Sequence, residues 1–395
     1  MKSIDLSYYS KKDKKTNKLL NKIFAKNQKD FNLLITKAIN QKKNNLTLLL
    51  SNPISRNPLL SKLYYNFCVA IFVKENISKY TETKKIIFDS YALAKLLKPF
   101  LKSKKINIKV DEKLNNKFLF LGFTKMFFNL GKILIKKIYQ LFICKTTTLN
   151  KKKKIYNKII LIDTFVLPGY YTKDRYFNGL QNSLNKFEKE KVFYSPVIAY
   201  TSIKDYYKVY KKLRSSKLNF ILKEDFLKFY DVFSSVSEIF FSKFSKFKNI
   251  NFKNIDFSNL LNFEIINGVG DDMTLEGVLN YKFVKRLKER KVSIKTVIDW
   301  WENQAIDKGL SKGIRTFYPG TNLLGYLGYY PRQFELQLSP LKIEYDLKYT
   351  PTKIAVTGNK IKKKINILAK KIKVITAPAF RFSYLWGLKK KMIKE

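Results

Sequence analysis

Short apolar runs alternate with stretches of three-to-four-residue periodicity along most of this chain, and that alternation predicts strands interleaved with helices. Leu46–Leu50 reads as a buried strand, followed by Asn-Pro turns at 52–53 and 57–58 and a helix over about 59–73. Strands are expected at 84–89 and 106–110, with a helix over 90–102 between them. The pattern resumes with a strand at 158–163, a helix over 174–189, a strand at 192–198 and a helix over 203–213, whereas 218–262 reads as mostly helical. A helix over 272–290 leads to a strand at 294–301, a helix over 303–313 and a short strand within 320–328. Strands separated by helices of this length mean βαβ units and a largely parallel sheet, so the fold class is α/β.

The same pattern suggests a domain plan. Residues 1–43 are polar and basic, with at most a short helix near Lys18–Ile39, and form a segment of their own. Residues 44–350 read as one N-terminal α/β lobe. Tyr349-Thr350-Pro351-Thr352 reads as a linker, because a proline biases its predecessor away from the helix. Strands at 353–357 and 372–376 are expected to begin a second, Rossmann-like lobe over 351–395 that remains incomplete. A segment of this size rarely buries an independent sheet core.

One segment breaks the alternation. Phe118–Cys144 is a long apolar stretch, expected to form an inserted helix over 115–147, whose polar residues Lys125, Asn129, Lys132, Lys136 and Gln140 step along one narrow stripe with Lys137 beside it. So many regular lysines argue against a span and for a helix lying in a membrane interface, with Lys125, Lys132 and Lys136 reaching anionic headgroups. The basic run Lys151–Lys154 follows directly. The competing reading is a long core helix with its lysines in water.

Composition narrows the chemistry. The formal net charge is +49, from 79 Lys+Arg against 30 Asp+Glu, which favours polyanionic or phosphorylated partners but is silent on fold. No histidine is present, which removes imidazole acid/base chemistry and His-ligated zinc. The two cysteines, Cys68 and Cys144, make neither a disulfide framework nor a metal cluster, so no metal is expected. The first residues lack an apolar signal core, which points to a cytoplasmic location. No compact Arg-aromatic patch or helix-turn-helix pattern supports nucleic-acid binding.

Ligands of parallel α/β folds sit outside the carboxyl ends of the strands. Asp163 ends one expected strand and is followed by Asp174 and Arg175, although Asp174 equally suits a helix cap. Asp271 and Glu276 lie in the glycine-bearing segment 268–277, suited to a sugar hydroxyl or to base chemistry. The strongest concentration runs through Trp300, Trp301, Glu302, Asn303, Gln304, Asp307 and Arg315 to Tyr326. Rings stack on the apolar face of a sugar while amides and a carboxylate bond its hydroxyls. Glu302, if its pKa rises in a cleft, is the preferred general base, with Asp163 and Asp271 in reserve, and Arg315 faces a diphosphate. Gly358 and Arg381 end the two last strands and would line a nucleotide crevice.

The segments at 159–180, 268–277, 296–331 and 375–386 together resemble the bacterial surface carbohydrate biosynthesis proteins associated with lipopolysaccharide O-antigen or capsule. The resemblance runs from about residue 45 onward. It implies a two-lobed GT-B glycosyltransferase fold. It further implies transfer of a sugar from an activated donor, such as a nucleotide sugar, to a glycan or lipid-linked glycan acceptor. The expected setting is peripheral, on the cytoplasmic side of the inner membrane, with no tightly bound cofactor. Glu302, Asn303, Gln304, Asp307 and Arg315 would serve the acceptor side, and Gly358 and Arg381 the donor side. The alternative is a membrane-associated assembly protein that binds glycan without turning it over.

Overall fold

The computed structural model describes residues 2–110, 118–147, 157–171, 174–332, 334–368 and 371–385. The expected basic run Lys151–Lys154 lies outside them. Eleven strands are found among the described residues, numbered in chain order. They are β1 (Lys2–Asp5), β2 (Thr83–Phe88), β3 (Asn107–Val110), β4 (Ile159–Val166), β5 (Val192–Ile198), β6 (Asn251–Phe252), β7 (Ile255–Asp256), β8 (Ile294–Trp300), β9 (Asn322–Leu327), β10 (Lys353–Val356) and β11 (Lys373–Thr376). The protein is α/β, and both larger sheets are parallel.

The chain divides into two compact units, and neither follows the expected plan. The first comprises Met1–Gly131, Glu238–Thr274 and Arg332–Gln337; the second comprises Lys132–Ser237, Leu275–Pro331 and Leu338–Glu395. Residues 1–43 are not a separate segment, since β1 pairs with β2, and helices Lys14–Lys26 and Gln28–Gln41 bury Leu20, Ile23, Phe31, Leu34 and Ile35. Residues 351–395 do not begin a new lobe either. β10 pairs in parallel with β9, and β11 with β10, so they extend the existing sheet. The intended linker is part of that sheet's margin, where Thr352 donates from its backbone and its hydroxyl to Leu323 O.

In the first unit the sheet order is β1-β2-β3. Helix Leu63–Asn76 buries nearly its whole circumference, from Phe67 through Val73, as an all-apolar helix must. Leu46–Leu49 is a helical turn rather than the expected strand, because the Asn45 side chain accepts from Leu48 N at 2.9 Å and caps it.

The second unit carries a six-stranded sheet ordered β11-β10-β9-β8-β4-β5. β4 and β5 are buried almost throughout, as parallel strands covered on both faces are. The chain leaves β4 toward β5 on one side, and β8 then takes the other side of β4. The order therefore reverses between β4 and β8, the switch point where open α/β sheets form ligand crevices. The expected helix over 174–189 is instead two short pieces, Leu180–Ser183 and Lys186–Lys191. Asn185 starts the second with a reciprocal cap, accepting from Glu188 N and donating its own N–H to Glu188.

Two helices of this unit cross at glycines. A Cβ built on Gly309, in helix Ala305–Phe317, would lie 1.8 Å from the carbonyl oxygen of Gly277 in helix Asp271–Glu289. Backbone cannot yield as a flexible side chain does, so Gly309→Ala is expected to destabilise the fold by about 1–3 kcal/mol or more. Gly320→Ala, where the added methyl meets nothing within 4 Å, should stay within about 0.5 kcal/mol of the parent. Chemical denaturation of both variants checks the contrast.

Candidate functional site

The site is built on β8, whose side chains alternate across the sheet. Asp299 is the register partner of Asp163 on β4 and of Gly325 on β9. It is fully buried, and among the described residues neither of its carboxylate oxygens has a hydrogen-bond partner. Asp163 is also buried, with Oδ2 unpartnered. Asp307, in the first turn of helix Ala305–Phe317, accepts from Glu302 N and Gln304 N, both at 2.9 Å, and so fixes the turn leaving β8. Loss of water pushes Asp163 up to about 7, with Lys223 pulling in the opposite direction. Burial also holds Asp299 and Asp307 well above the usual carboxylate range, and the neighbouring acids reinforce it. Three carboxyls that favour their protonated form thus lie beside and beneath the end of β8.

Trp300 points to the opposite face and organises the mouth of the crevice. Its indole Nε1 donates to Glu302 Oε1 at 3.0 Å, and Gln304 Nε2 donates to Glu302 Oε2 at 2.7 Å. Tyr176 packs on the Trp300 ring with centroids 4.4 Å apart. The Arg381 guanidinium lies 5.8 Å from the Trp300 centroid and 5.6 Å from that of Tyr176. Arg381 arrives there because the segment after β11 crosses the sheet's carboxyl margin. Tyr326 Oη donates to Pro378 O at 2.8 Å and accepts from Phe380 N at 3.1 Å, while Ser383 Oγ donates to Asn178 O at 3.2 Å. Gly358 opens helix Asn359–Leu368, with free space where a Cβ would stand.

Several residues expected to touch substrate are structural instead. Trp300 and Trp301 are both fully buried, on opposite sheet faces, Trp300 with Phe177 and Tyr326 and Trp301 with Leu327, Ile354 and Val356. Neither offers a ring to a sugar. Tyr326 is core apart from its hydroxyl, which ties down the 378–380 turn. Asn303 is buried at φ 53, a left-handed conformation that asparagine tolerates, and its amide reaches Glu344 Oε2 at 3.4 Å. Glu344 also forms a buried ion pair with Lys308 at 2.7 Å. Arg315 donates to Tyr345 O and Thr350 O and stacks on Tyr345, holding the 345–350 segment rather than a diphosphate. Asp174 is a local cap, accepting from Tyr176 N at 2.7 Å and Phe177 N at 3.1 Å, and Arg175 lies over Tyr170.

The acids of the 268–277 segment are each engaged by lysines, and they fall in different units. Asp271 belongs to the first unit, ion-paired to buried Lys243 at 3.0 Å. Glu276, in the second unit, is a buried partner of Lys223 at 2.5 Å and of Lys137. Sequence reasoning missed Asp299 and Tyr176. Asp299 was legible as the one acid within strand β8.

The inserted helix is Phe118–Thr146. Lys125 and Lys132 are exposed and Lys136 is half-buried, but Gln140 from the same stripe is buried, donating to Tyr210 Oη and Glu224 Oε1. Met126, Leu130, Leu141 and Cys144 bury the helix's inner face. Among the described residues no helix is long and apolar enough to cross a membrane, and no carboxylate or cysteine cluster has metal-holding geometry. Protein-family models, curated proteins and solved structures yield no match to this chain.

The carboxyl cluster predicts an unusual pH response. A group whose pKa is raised on folding supports the native state below its unfolded pKa and loses that support as pH rises to the folded value. For Asp163 the loss spans roughly pH 4 to 7, and burial of Asp299 acts in the same direction. The slope is at most about 1.4 kcal/mol per pH unit for each group. Asp163→Asn should flatten the fall in thermal midpoint below pH 7, and Asp299→Asn should reduce the fall with rising pH as well. Melting curves across this range test both, each kcal/mol being worth about 2–4 °C.

Proposed function

We propose that the crevice at the carboxyl ends of β4, β8 and β9 transfers a sugar from a nucleotide-sugar donor to a hydroxyl of a glycan acceptor, in surface polysaccharide synthesis. One observation carries the reading. The same buried indole that donates to Glu302 lies beneath the guanidinium of Arg381, which brings a carboxylate and a cation to one ring at the end of β8. The resemblance of the 296–331 and 375–386 segments to surface carbohydrate biosynthesis proteins supports it further.

In this mechanism Glu302 takes the proton of the acceptor hydroxyl as that oxygen bonds to the anomeric carbon. The bond from the anomeric carbon to the donor diphosphate breaks, and its electron pair leaves on the diphosphate oxygen. Arg381 meets that charge with planar, paired N–H donors, and Arg175 lies on the adjoining loop. Gln304 and Trp300 hold the orientation of Glu302, and Asp307 fixes its backbone. All these groups lie in the second unit, in segments that follow strands of its six-stranded sheet.

A second reading, glycan binding without turnover, is favoured by the engagement of both Glu302 oxygens. The two separate in one experiment, using a panel of nucleotide sugars with lipid-linked acceptors. Glu302→Gln is expected to retain donor affinity while turnover drops about 10²–10⁴-fold. Arg381→Ala is expected to weaken donor binding about tenfold or more. Acceptor binding with no transfer to any acceptor would favour the binding protein, and near-parent turnover in Glu302→Gln would remove that residue from the chemistry.

A further inference from the structure

Two helices, along their stretches in the second unit, place large apolar side chains in water with no covering element among the described residues. On helix Phe118–Thr146, Ile135 is 71% exposed and Phe142 53% exposed, with Tyr139 between them at helical spacing. On helix Phe229–Ser242, Tyr230 is 73% exposed and Phe233 50% exposed, next to the exposed Phe229. Lys145 reaches over the Phe229 ring, 6.0 Å from its centroid, so the two helices meet along this surface. Their opposite faces are committed to the core: Leu141 and Cys144 on one, Val232, Ser235 and Val236 on the other. A monomeric surface rarely carries so many adjacent aromatic side chains without a use for them.

The charge around the patch selects its occupant. Lys132, Lys145 and Lys228 are exposed beside it and Lys136 is half-buried. Helix Phe118–Thr146 contains no Asp or Glu. On the second helix Asp231 is turned inward, ion-paired to Arg286 at 2.7 Å, and the helix's other acid, Glu238, is exposed toward its C-terminal end. A rim of lysines suits an anionic, fluid apolar layer and disfavours a second copy of the same surface, whose lysines would face these. We propose that this patch seats the protein on an anionic lipid bilayer, with Ile135, Phe142, Tyr230 and Phe233 entering the headgroup region and the lysines meeting phosphates. Neither helix spans the bilayer. The proposal is independent of the transfer chemistry, since no crevice residue takes part.

The test uses the full chain with vesicles of phosphatidylcholine alone or with 30% phosphatidylglycerol, the mixture being about the anionic content that polybasic surfaces respond to. Binding should be confined to the anionic vesicles and fall at least about tenfold between 0.1 and about 0.5 M salt. Replacing Phe142 and Phe233 with Ser, or Lys132 and Lys136 with Glu, should each lower binding about tenfold or more. These side chains are largely solvent-facing, so the melting temperature should hold. A gain-of-signal variant, Phe142→Trp, should be quenched by brominated lipid only in anionic vesicles. Equal binding to neutral vesicles, absence of quenching, or concentration-dependent dimerisation abolished by the Ser substitutions would overturn the proposal.

Discussion

The second unit depends on one constraint, the removal of water from the last residues of β8. Asp299, Trp300 and Trp301 leave the strand in succession, and all three are fully buried. Alternation sends the two indoles into the cores on opposite faces of the sheet, and those cores require the strand to sit centrally, between β4 and β9. Central placement in turn leaves Asp299 beside Asp163 with no solvent to stabilise charge. The raised carboxyl pKa values, the locked Glu302 and the route of the 377–383 segment all follow from that placement.

A buried acid of this kind is tolerated because the surroundings compensate it unevenly. Lys308 and Lys223 are each buried against a carboxylate, Glu344 and Glu276, and breaking such a pair typically costs about 3–5 kcal/mol. Asp299 has no such partner and avoids the cost by keeping its proton. The large positive formal charge contributes little here, since most lysines point into water and decide partners rather than packing.

Much of this was legible in the sequence, but unevenly. β2, β5 and β8 lie where their apolar runs predicted, β5 most plainly, because a parallel strand buried on both faces leaves a continuous signal. The turn at 46–49 was misread because four apolar residues fit either period, and the capping Asn45 decides between them. β1 was invisible, being four residues long and held mainly by pairing with β2. The domain plan failed because the chain passes between units inside helices 118–146, 229–242 and 271–289, where composition does not change. At the site, Glu302 and Arg381 were recognised as polar residues after strand ends. Trp301, Asn303, Asp307 and Arg315 carry the same local signature, and only tertiary burial reveals that they serve the fold.

The segment after β11 also sets an order of events during synthesis. Strands β4, β8 and β9 leave the ribosome well before residues 373–383, so a nascent chain can form most of the sheet while its β9 edge stays open. Until β10 and β11 cover that edge, its unpaired backbone groups are available to other nascent chains. The residue beside the Glu302 turn, Arg381, is carried by the segment that directly follows the strands covering the β9 edge. Covering of the β9 edge and delivery of Arg381 to the site therefore fall to one continuous stretch of chain.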